Sequence, residues 1–283
     1  MPISRINTML FPGGKRKALT FSYDDGVVQD RRLVDLMRHY GVKGTFNLNS
    51  GLLGRDSSMT INGKLVDVST ITLHEIPVLY QSFEVATHAA EHSALIGSGS
   101  AALNEIMEDR KVLEKVVPYF VRGHAYPFGL YDENAVAMLM AAGIVYARTV
   151  NSTKNFELPG NFLAWNPTCH HNDSELMNLA QEFCENEDIF GQPQLFYVWG
   201  HSYEFDADQN WEVIETLLAY ISGFKEKIWM ATNGDIVDYV TAYHNLIFSA
   251  DGKKVYNPSV KTIWMESLGK IYEIPADGTI TII

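Results

Sequence analysis

The chain has few cysteines and no long apolar run. Only Cys169 and Cys184 occur among its 283 residues, and no Cys-x-x-Cys pair is present. This spacing argues against a disulfide scaffold or a zinc knuckle and is typical of reduced thiols. Because no stretch of about 18 apolar residues occurs, we expect no membrane-spanning helix.

Positive charge is also scarce. The chain has 22 basic against 34 acidic residues, which gives a net charge of −12. It lacks the basic footprint that neutralises phosphates, so we expect neither a nucleic acid nor a membrane surface as a partner. The first 26 residues contain no apolar core of a secretory signal, which favours a cytoplasmic location.

Short β-rich runs alternate with helical patterns about seven times along the chain. Such alternation predicts parallel strands joined by helices. At this length a (β/α) barrel is the leading architecture, and an open doubly wound sheet is the alternative. The strand-like runs are residues 18–23, 44–48, 83–87, 121–126, 144–150, 195–199 and 228–232, and the helical candidates are residues 31–40, 101–117, 133–142, 174–184, 211–224 and 235–246.

Two segments interrupt the alternation. Residues 50–70 contain an Asn62-Gly63 turn between β-prone residues, which predicts a hairpin insertion. Residues 250–283 contain two Asp-Gly turns among β-branched residues, which predicts a short C-terminal β extension. We therefore expect a barrel over residues 1–249 and an extension that covers its edge, caps its bottom or joins subunits in a homo-oligomer.

Residues suited to chemistry stand where predicted strands end. They are Asp24 and Asp25, His88 and His92, the Tyr126-Pro127-Phe128-Gly129 turn, and His201. Taken singly, each is explained by a polar turn or a structural histidine. Parallel barrel strands, however, present their carboxyl ends on one face. One carboxylate and two imidazoles there are a common ligand set for zinc or another divalent ion.

The segments TFSYDDG, THAAEH, AYPFG and VWGH, in this order, resemble the motifs of the polysaccharide deacetylases, the metal-dependent carbohydrate esterases with a NodB homology domain. The resemblance covers residues 17–245, and its first two motifs are the specific ones. It implies a distorted (β/α)7-type barrel. It also implies hydrolysis of acetyl groups from an N- or O-acetylated carbohydrate, with Zn²⁺ or another divalent ion such as Co²⁺, Ni²⁺ or Mn²⁺.

The resemblance also implies a role for each motif residue. Three protein ligands leave the ion an open position for water, a base takes a proton from that water, and an acid protonates the leaving group. The implied assignments are Asp25, His88 and His92 as metal ligands, Asp24 as base, His201 as acid, and the backbone N–H of Phe128 as oxyanion donor.

The chain departs from the family pattern in the third motif. An arginine that pairs with the base usually opens this motif, and Ala125 stands in its place. We hypothesise that Arg148, in the next strand-like run, replaces it; the alternative is an arginine that bridges surface carboxylates. No match to the fourth motif is found in residues 151–168, and in the fifth motif Val198 and Gly200 replace leucines.

Three residues near the expected site are candidates for substrate binding. The rings of Tyr126 and Trp199 are suited to stacking on a sugar, and the Asn47 amide is suited to bonding a hydroxyl. Core packing or loop capping explains the same residues without a substrate.

Two other functions remain open at this stage. One Asp with two His also suits a non-haem iron enzyme. A barrel without the motif arginine also fits a sugar-binding protein that has lost turnover.

Overall fold

The computed structural model describes residues 7–97 and 99–282. Its centre is an eight-stranded parallel sheet that curls into a distorted barrel, in the order β8-β7-β6-β3-β2-β10-β9, with β11 also paired to β2. The strands are β1 Asn7–Leu10, β2 Lys17–Asp24, β3 Thr45–Leu48, β4 Ser58–Ile61, β5 Lys64–Asp67, β6 Glu84–Thr87, β7 Gly123–Ala125, β8 Tyr146–Arg148, β9 Cys169–His170, β10 Gln194–Gly200, β11 Ile228–Met230, β12 Ile247–Phe248, β13 Lys254–Asn257, β14 Ile263–Ser267, β15 Lys270–Ile274 and β16 Gly278–Thr281. The predicted barrel is confirmed.

Helices cover the outside of this sheet. They are α1 Asp30–Tyr40, α2 Ile76–Leu79, α3 Ser100–Leu113, α4 Glu133–Ala141, α5 Leu176–Glu185, α6 Tyr203–Asp208, α7 Trp211–Ser222 and α8 Asn233–His244. Each of the six predicted helices has a counterpart, with ends that differ by a few residues. The Asp132 side chain accepts the backbone N–H of Ala135 at 2.8 Å and caps α4. None of the helices in the described residues is long and apolar enough to cross a bilayer.

Strand β2 is buried on both faces, because it lies at the centre of the sheet. Phe21 and Tyr23 belong to the hydrophobic cluster formed with α1 and α7. Ser22 and Asp24 alternate with them and face the barrel interior, where both accept hydrogen bonds from Asn47 on β3 at 2.8 Å. Because side chains alternate along a strand, one face of β2 packs into the hydrophobic cluster and the other carries the polar side chains of Ser22 and Asp24.

The predicted hairpin insertion corresponds to β4 and β5. Asn62 and Gly63 form its turn with φ of 51° and 77°, the backbone that a two-residue hairpin needs. Beside it, Arg55 forms an ion pair with Glu91 at 3.1 Å, next to the predicted histidine motif. The insertion therefore lies beside the end of the barrel where the candidate residues gather.

The C-terminal β extension is also confirmed, and it includes an N-terminal strand that the sequence analysis missed. One small antiparallel sheet has the order β1-β14-β15 and another β12-β13-β16. The hydroxyl of Tyr239 on α8 donates to the carbonyl of Leu10 at 2.6 Å and accepts the N–H of Trp264 at 2.9 Å. Segments near both ends of the chain are thus tied to the same helix.

Candidate active site

Three predicted ligands meet at the carboxyl ends of β2 and β6. Oδ1 of Asp25 lies 3.7 Å from Nε2 of His88 and 3.7 Å from Nε2 of His92. The three candidate ligand atoms lie within 4.8 Å of one another. A carboxylate oxygen and two imidazole nitrogens at this spacing fit one tetrahedral divalent ion with a position left open.

The hydrogen bonds of His88 set its tautomer. Nδ1 of His88 donates to the carbonyl of Ala125 at 2.8 Å, so the lone pair of the neutral ring is on Nε2 and faces Asp25. Burial lowers the pKa of His88, although the carboxylates of Asp24 and Asp25 oppose this shift. The ring is therefore held in the form that a metal ligand requires.

Helix α3 and the end of β3 hold the backbone of the histidine motif. Asp109 accepts the backbone N–H of His88 at 2.9 Å and that of Ser50 at 2.8 Å. The Asn49 amide donates to the carbonyls of His88 and Ala89 at 2.5 and 2.7 Å. These bonds join the β3 and β6 loops and involve no imidazole nitrogen.

Positive φ angles concentrate at this end of the barrel. Asp25, Ala89, His92 and Phe128 have φ of 76°, 61°, 55° and 59°. Left-handed backbone costs a non-glycine residue about 1 kcal/mol or more. The surrounding hydrogen bonds maintain this strain, which is typical of functional loops.

Asp24 is 2% exposed and accepts hydrogen bonds from both sides. The Asn47 amide donates to Oδ1 at 2.8 Å, and the Arg148 guanidinium donates to Oδ2. Burial raises the pKa of Asp24, but Arg148, followed by His88 and His201, outweighs it and lowers the pKa to about 2. Asp24 is therefore a buried carboxylate that stays ionised.

Arg148 reaches Asp24 from the neighbouring strand. In the β7–β8 register Arg148 stands directly opposite Ala125. Its guanidinium lies 4.3 Å from the Trp199 ring centroid and donates to the carbonyl of Thr149 at 3.2 Å. Arg148 is fully buried and is not the surface bridge of the alternative hypothesis.

His201 lies on the other side of Asp24, beyond the end of β10. Its Nε2 is 3.9 Å from Oδ2 of Asp24, and its Nδ1 is 3.4 Å from Oε1 of Glu204. Burial lowers the pKa of His201, but Glu204 and the charges of Asp25 and Asp24 outweigh it and raise the pKa to about 9. His201 is therefore cationic at neutral pH.

Phe128 lies beside the histidine motif. Its side chain is 62% exposed, and the centroid of its ring is 4.6 Å from that of His92. Its backbone N–H donates to no group within residues 7–97 and 99–282. A free backbone donor next to the ligand cluster is suited to an oxyanion.

The residues predicted to bind substrate are mostly enclosed. Tyr126 is 1% exposed and donates through its hydroxyl to the carbonyl of Leu163 at 2.8 Å, which leaves its ring no exposed face for a sugar. Asn47 is fully buried, and its amide serves Asp24 instead of a solvent-facing ligand. Trp199 is 8% exposed and packs on Arg148.

A second cluster, which was not predicted from the sequence, lies at the same end of the barrel. His170, His171 and Glu204 bring their ligand-type atoms within 4.8 Å of one another beside His201. Two signals were available: adjacent histidines, and a glutamate three residues after His201. The strand that carries the histidine pair has only two residues, Cys169–His170, which is too short for a clear periodic pattern.

Comparisons with known proteins agree with this fold. The polysaccharide deacetylase family model matches residues 12–147. A Mycobacterium smegmatis protein assigned to the polysaccharide deacetylases is 15% identical over 84% of this chain and 94% of its own, with a TM-score of 0.57. A family 4 acetyl xylan esterase from Clostridium thermocellum, solved with a cobalt ion, is 13% identical over 78% of this chain and 91% of its own, with a TM-score of 0.50.

A third structure matches a smaller part of the chain. A Streptococcus pyogenes deacetylase solved with acetate is 19% identical over 51% of this chain, with a TM-score of 0.43, and the chain spans 61% of that protein. No curated protein sequence matches significantly. The matched residues 12–147 contain Asp24, Asp25 and both motif histidines. Over residues 12–147 this chain is thus similar to the polysaccharide deacetylases, and its fold resembles that of solved members of this group.

Proposed function

We propose that this protein is a metal-dependent hydrolase that removes acetyl groups from an acetylated carbohydrate. One observation carries the proposal. The ionised Asp24 carboxylate and the His201 imidazole flank a cluster of Asp25, His88 and His92 whose atoms are spaced for one divalent ion. A base, an acid and a metal site converge there, as hydrolysis of an amide or ester requires.

Asp25, His88 and His92 would hold the ion, with zinc as the first candidate and Co²⁺, Ni²⁺ or Mn²⁺ as alternatives. The cobalt ion of the Clostridium thermocellum structure supports a divalent metal. When bound, such an ion lowers the pKa of coordinated water to about 7 and polarises a carbonyl oxygen. The hydrogen bond from His88 to Ala125 orients one ligand for this role.

Asp24 acts as the general base and His201 as the general acid. The Arg148 guanidinium and the Asn47 amide keep Asp24 ionised, so it is ready to accept a proton from water. Protonated His201 lies across the cleft and donates a proton to the leaving amine or alcohol. The backbone N–H of Phe128 donates to the oxygen that becomes negative as water attacks the acetyl carbonyl.

The primary test is acetate release from N-acetylated amino sugars, chito-oligomers and acetylxylan fragments, with and without a chelator. We expect release that the chelator abolishes and that added Zn²⁺ or Co²⁺ restores. Binding of these sugars without acetate release by metal-loaded protein would favour the sugar-binding alternative. Oxygen uptake by the iron-loaded protein would favour the non-haem iron alternative.

Replacing His92 with alanine is expected to remove the bound ion and most turnover without unfolding the barrel. His92 lies in a loop and its side chain is 26% exposed, so its loss opens little core space. Metal content per chain, acetate release and thermal unfolding are measured together. His39→Ala, at an exposed position on α1, is the control. An unchanged metal content in His92→Ala would contradict the ligand assignment.

Replacing Phe128 with glycine is expected to keep the turnover rate within a few-fold of the wild type. The backbone N–H is retained, and glycine adopts a φ of 59° without the cost that phenylalanine incurs. Acetate release measures the turnover rate, and thermal unfolding measures the effect of the glycine on stability. If turnover instead fell by about two orders of magnitude or more with the metal retained, the ring, and not the backbone, would carry the function.

A further inference from the structure

Three imidazoles surround the carboxylate of Glu204. Oε2 lies 3.2 Å from Nε2 of His170 and 3.1 Å from Nε2 of His171, and it accepts the backbone N–H of His201 at 3.1 Å. Oε1 lies 3.4 Å from Nδ1 of His201. The side chain of Glu204 is 23% exposed and that of His171 is fully buried. The cluster therefore forms one wall of the site.

Hydrogen bonding determines where the proton of His170 sits. Its Nδ1 accepts the backbone N–H of Asn172 at 3.1 Å, so the proton of the neutral ring is on Nε2, which faces Glu204. Burial lowers the pKa of His171 to about 4, so this ring is neutral at working pH. A Cβ at position 200 would come within 2.1 Å of Nδ1 of His171, so Gly200 leaves the space that this ring occupies.

These contacts keep Glu204 ionised. Burial raises its pKa, but the nearby imidazoles of His170, His171 and His201 outweigh burial and lower the pKa well below its usual range. A carboxylate that already faces two imidazoles and a backbone N–H has little freedom to move. Its remaining oxygen, Oε1, therefore presents a fixed negative charge to Nδ1 of His201.

We propose that Glu204, held by His170 and His171, is a positioning residue that keeps a proton on Nδ1 of His201 and turns Nε2 of that ring toward the cleft. The inference rests on the proposed function of His201 as the acid. Nε2 then carries the proton that passes to the leaving group: the Nε2–H bond breaks and a bond from hydrogen to the leaving nitrogen or oxygen forms. His201 remains neutral, with its other proton on Nδ1.

The other charged groups near His201 do not replace Glu204. Asp24 faces Nε2, on the opposite side of the ring from Nδ1. The charge of Asp25 also favours protonated His201, but a metal ion at Asp25 would offset that effect. Trp199 on β10 and Tyr203 on α6 contact the ring and carry no charge at neutral pH. Glu204 is thus the carboxylate on the Nδ1 side.

The same atoms are spaced for a second metal ion, which is the competing explanation of this cluster. Nε2 of His170 bears the proton when Nδ1 accepts a hydrogen bond, and a protonated nitrogen has no lone pair for a metal. The tautomer therefore favours a network of hydrogen bonds over an ion at this position.

The test compares Glu204→Gln with Glu212→Gln, an exposed glutamate on α7. Each variant is assayed on an acetylated sugar, whose leaving group needs a proton, and on p-nitrophenyl acetate, whose leaving group does not. We expect Glu204→Gln to lose about 100-fold in kcat on the sugar and less than about 5-fold on the activated ester. We also expect the high-pH limb of its sugar activity to move to lower pH, and Glu204→Asp to recover part of the loss.

Two further measurements, the proton positions of His201 and the metal content per chain, do not depend on turnover of a sugar. Nitrogen NMR of histidine-labelled protein, assigned with His201→Gln, reads the His201 proton positions without turnover, and we expect Nδ1 to be protonated. Metal content should be one ion per chain in the wild type and in Glu204→Gln. A wild type inactive on every acetylated sugar would contradict the proposed function alone. Equal losses on both substrates, an unprotonated Nδ1, or two ions that fall to one in Glu204→Gln would overturn this inference.

Discussion

Replacing Asp24 with asparagine is expected to reduce kcat for acetate release by about 1,000-fold, within the range that general base catalysis supplies. The amide has nearly the shape of the carboxylate but cannot accept a proton from water at neutral pH. Asp24 does not belong to the cluster of Asp25, His88 and His92, so the metal content should remain at the wild-type value. The measurement is kcat at saturating substrate together with metal content per chain.

Asp56→Asn, in an exposed loop beside the hairpin, is the matched control and should keep wild-type turnover. In Asp24→Asn the new side-chain amide has only one acceptor atom for the two donors, Asn47 and Arg148, so some stability is lost. The variant must therefore be assayed below its unfolding temperature. Turnover that stays within about 10-fold of the wild type, in folded and metal-loaded protein, would contradict the assignment of Asp24 as base.

Replacing Arg148 with methionine is expected to lower the free energy of unfolding by about 3–5 kcal/mol at neutral pH. Both side chains of the Arg148–Asp24 pair are at most 2% exposed, so removal of the guanidinium leaves a buried carboxylate without its cationic partner. The measurement is denaturant unfolding of the two proteins at pH 7. Arg122→Met is the control, because the Arg122–Asp238 pair is partly exposed and should contribute less than about 1 kcal/mol.

The pH dependence of this difference has a definite sign. In the folded wild type the pKa of Asp24 is lowered from 3.8 to about 2, so ionised Asp24 stabilises the fold above about pH 4, and this contribution is lost as the pH falls through 2. Without Arg148, burial of Asp24 is uncompensated and its folded-state pKa rises. The deficit of Arg148→Met should therefore be largest near neutral pH and shrink toward pH 2.

The double variant Arg148→Met/Asp24→Asn separates a charge effect from a packing effect. Removing both charges leaves no unpaired ion at this position in the barrel, so part of the lost stability should return. Strictly additive losses in the two single variants would show that the pair is not coupled. Such additivity would contradict the argument that Arg148 replaces the arginine missing at Ala125.

The order of elements was predictable because hydrophobic periodicity is local. The run 195–199 is apolar on both faces, which is typical of a central parallel strand, and residues 18–23 alternate apolar with small or polar residues. The Asn62-Gly63 turn specified the hairpin for an equally local reason. Strand β1 and the two-residue strand β9 escaped prediction, since short strands are stabilised by partners distant in the chain and not by their own pattern.

The candidate site was predictable to the extent that its residues stand at strand ends. Parallel strands bring their carboxyl ends to one face of the barrel, so five predicted residues lie near one another there: Asp24, Asp25, His88, His92 and His201. Burial was less predictable. Tyr126 and Asn47 also lie near strand ends, yet neighbouring elements enclose them and their polar atoms bond protein groups.

The sequence by itself determined the alternation of strands and helices, the two turn-bounded β segments and the chemical types gathered at the strand ends, because each depends on residues close together in the chain. Only the tertiary structure decided which side chains are paired. The β7–β8 register sets Arg148 opposite Ala125, so that its guanidinium reaches Asp24. The meeting of β9 with the α6 helix end sets two histidines around Glu204. These contacts join residues far apart in the chain, and strand register and barrel curvature, which no local pattern encodes, bring them together.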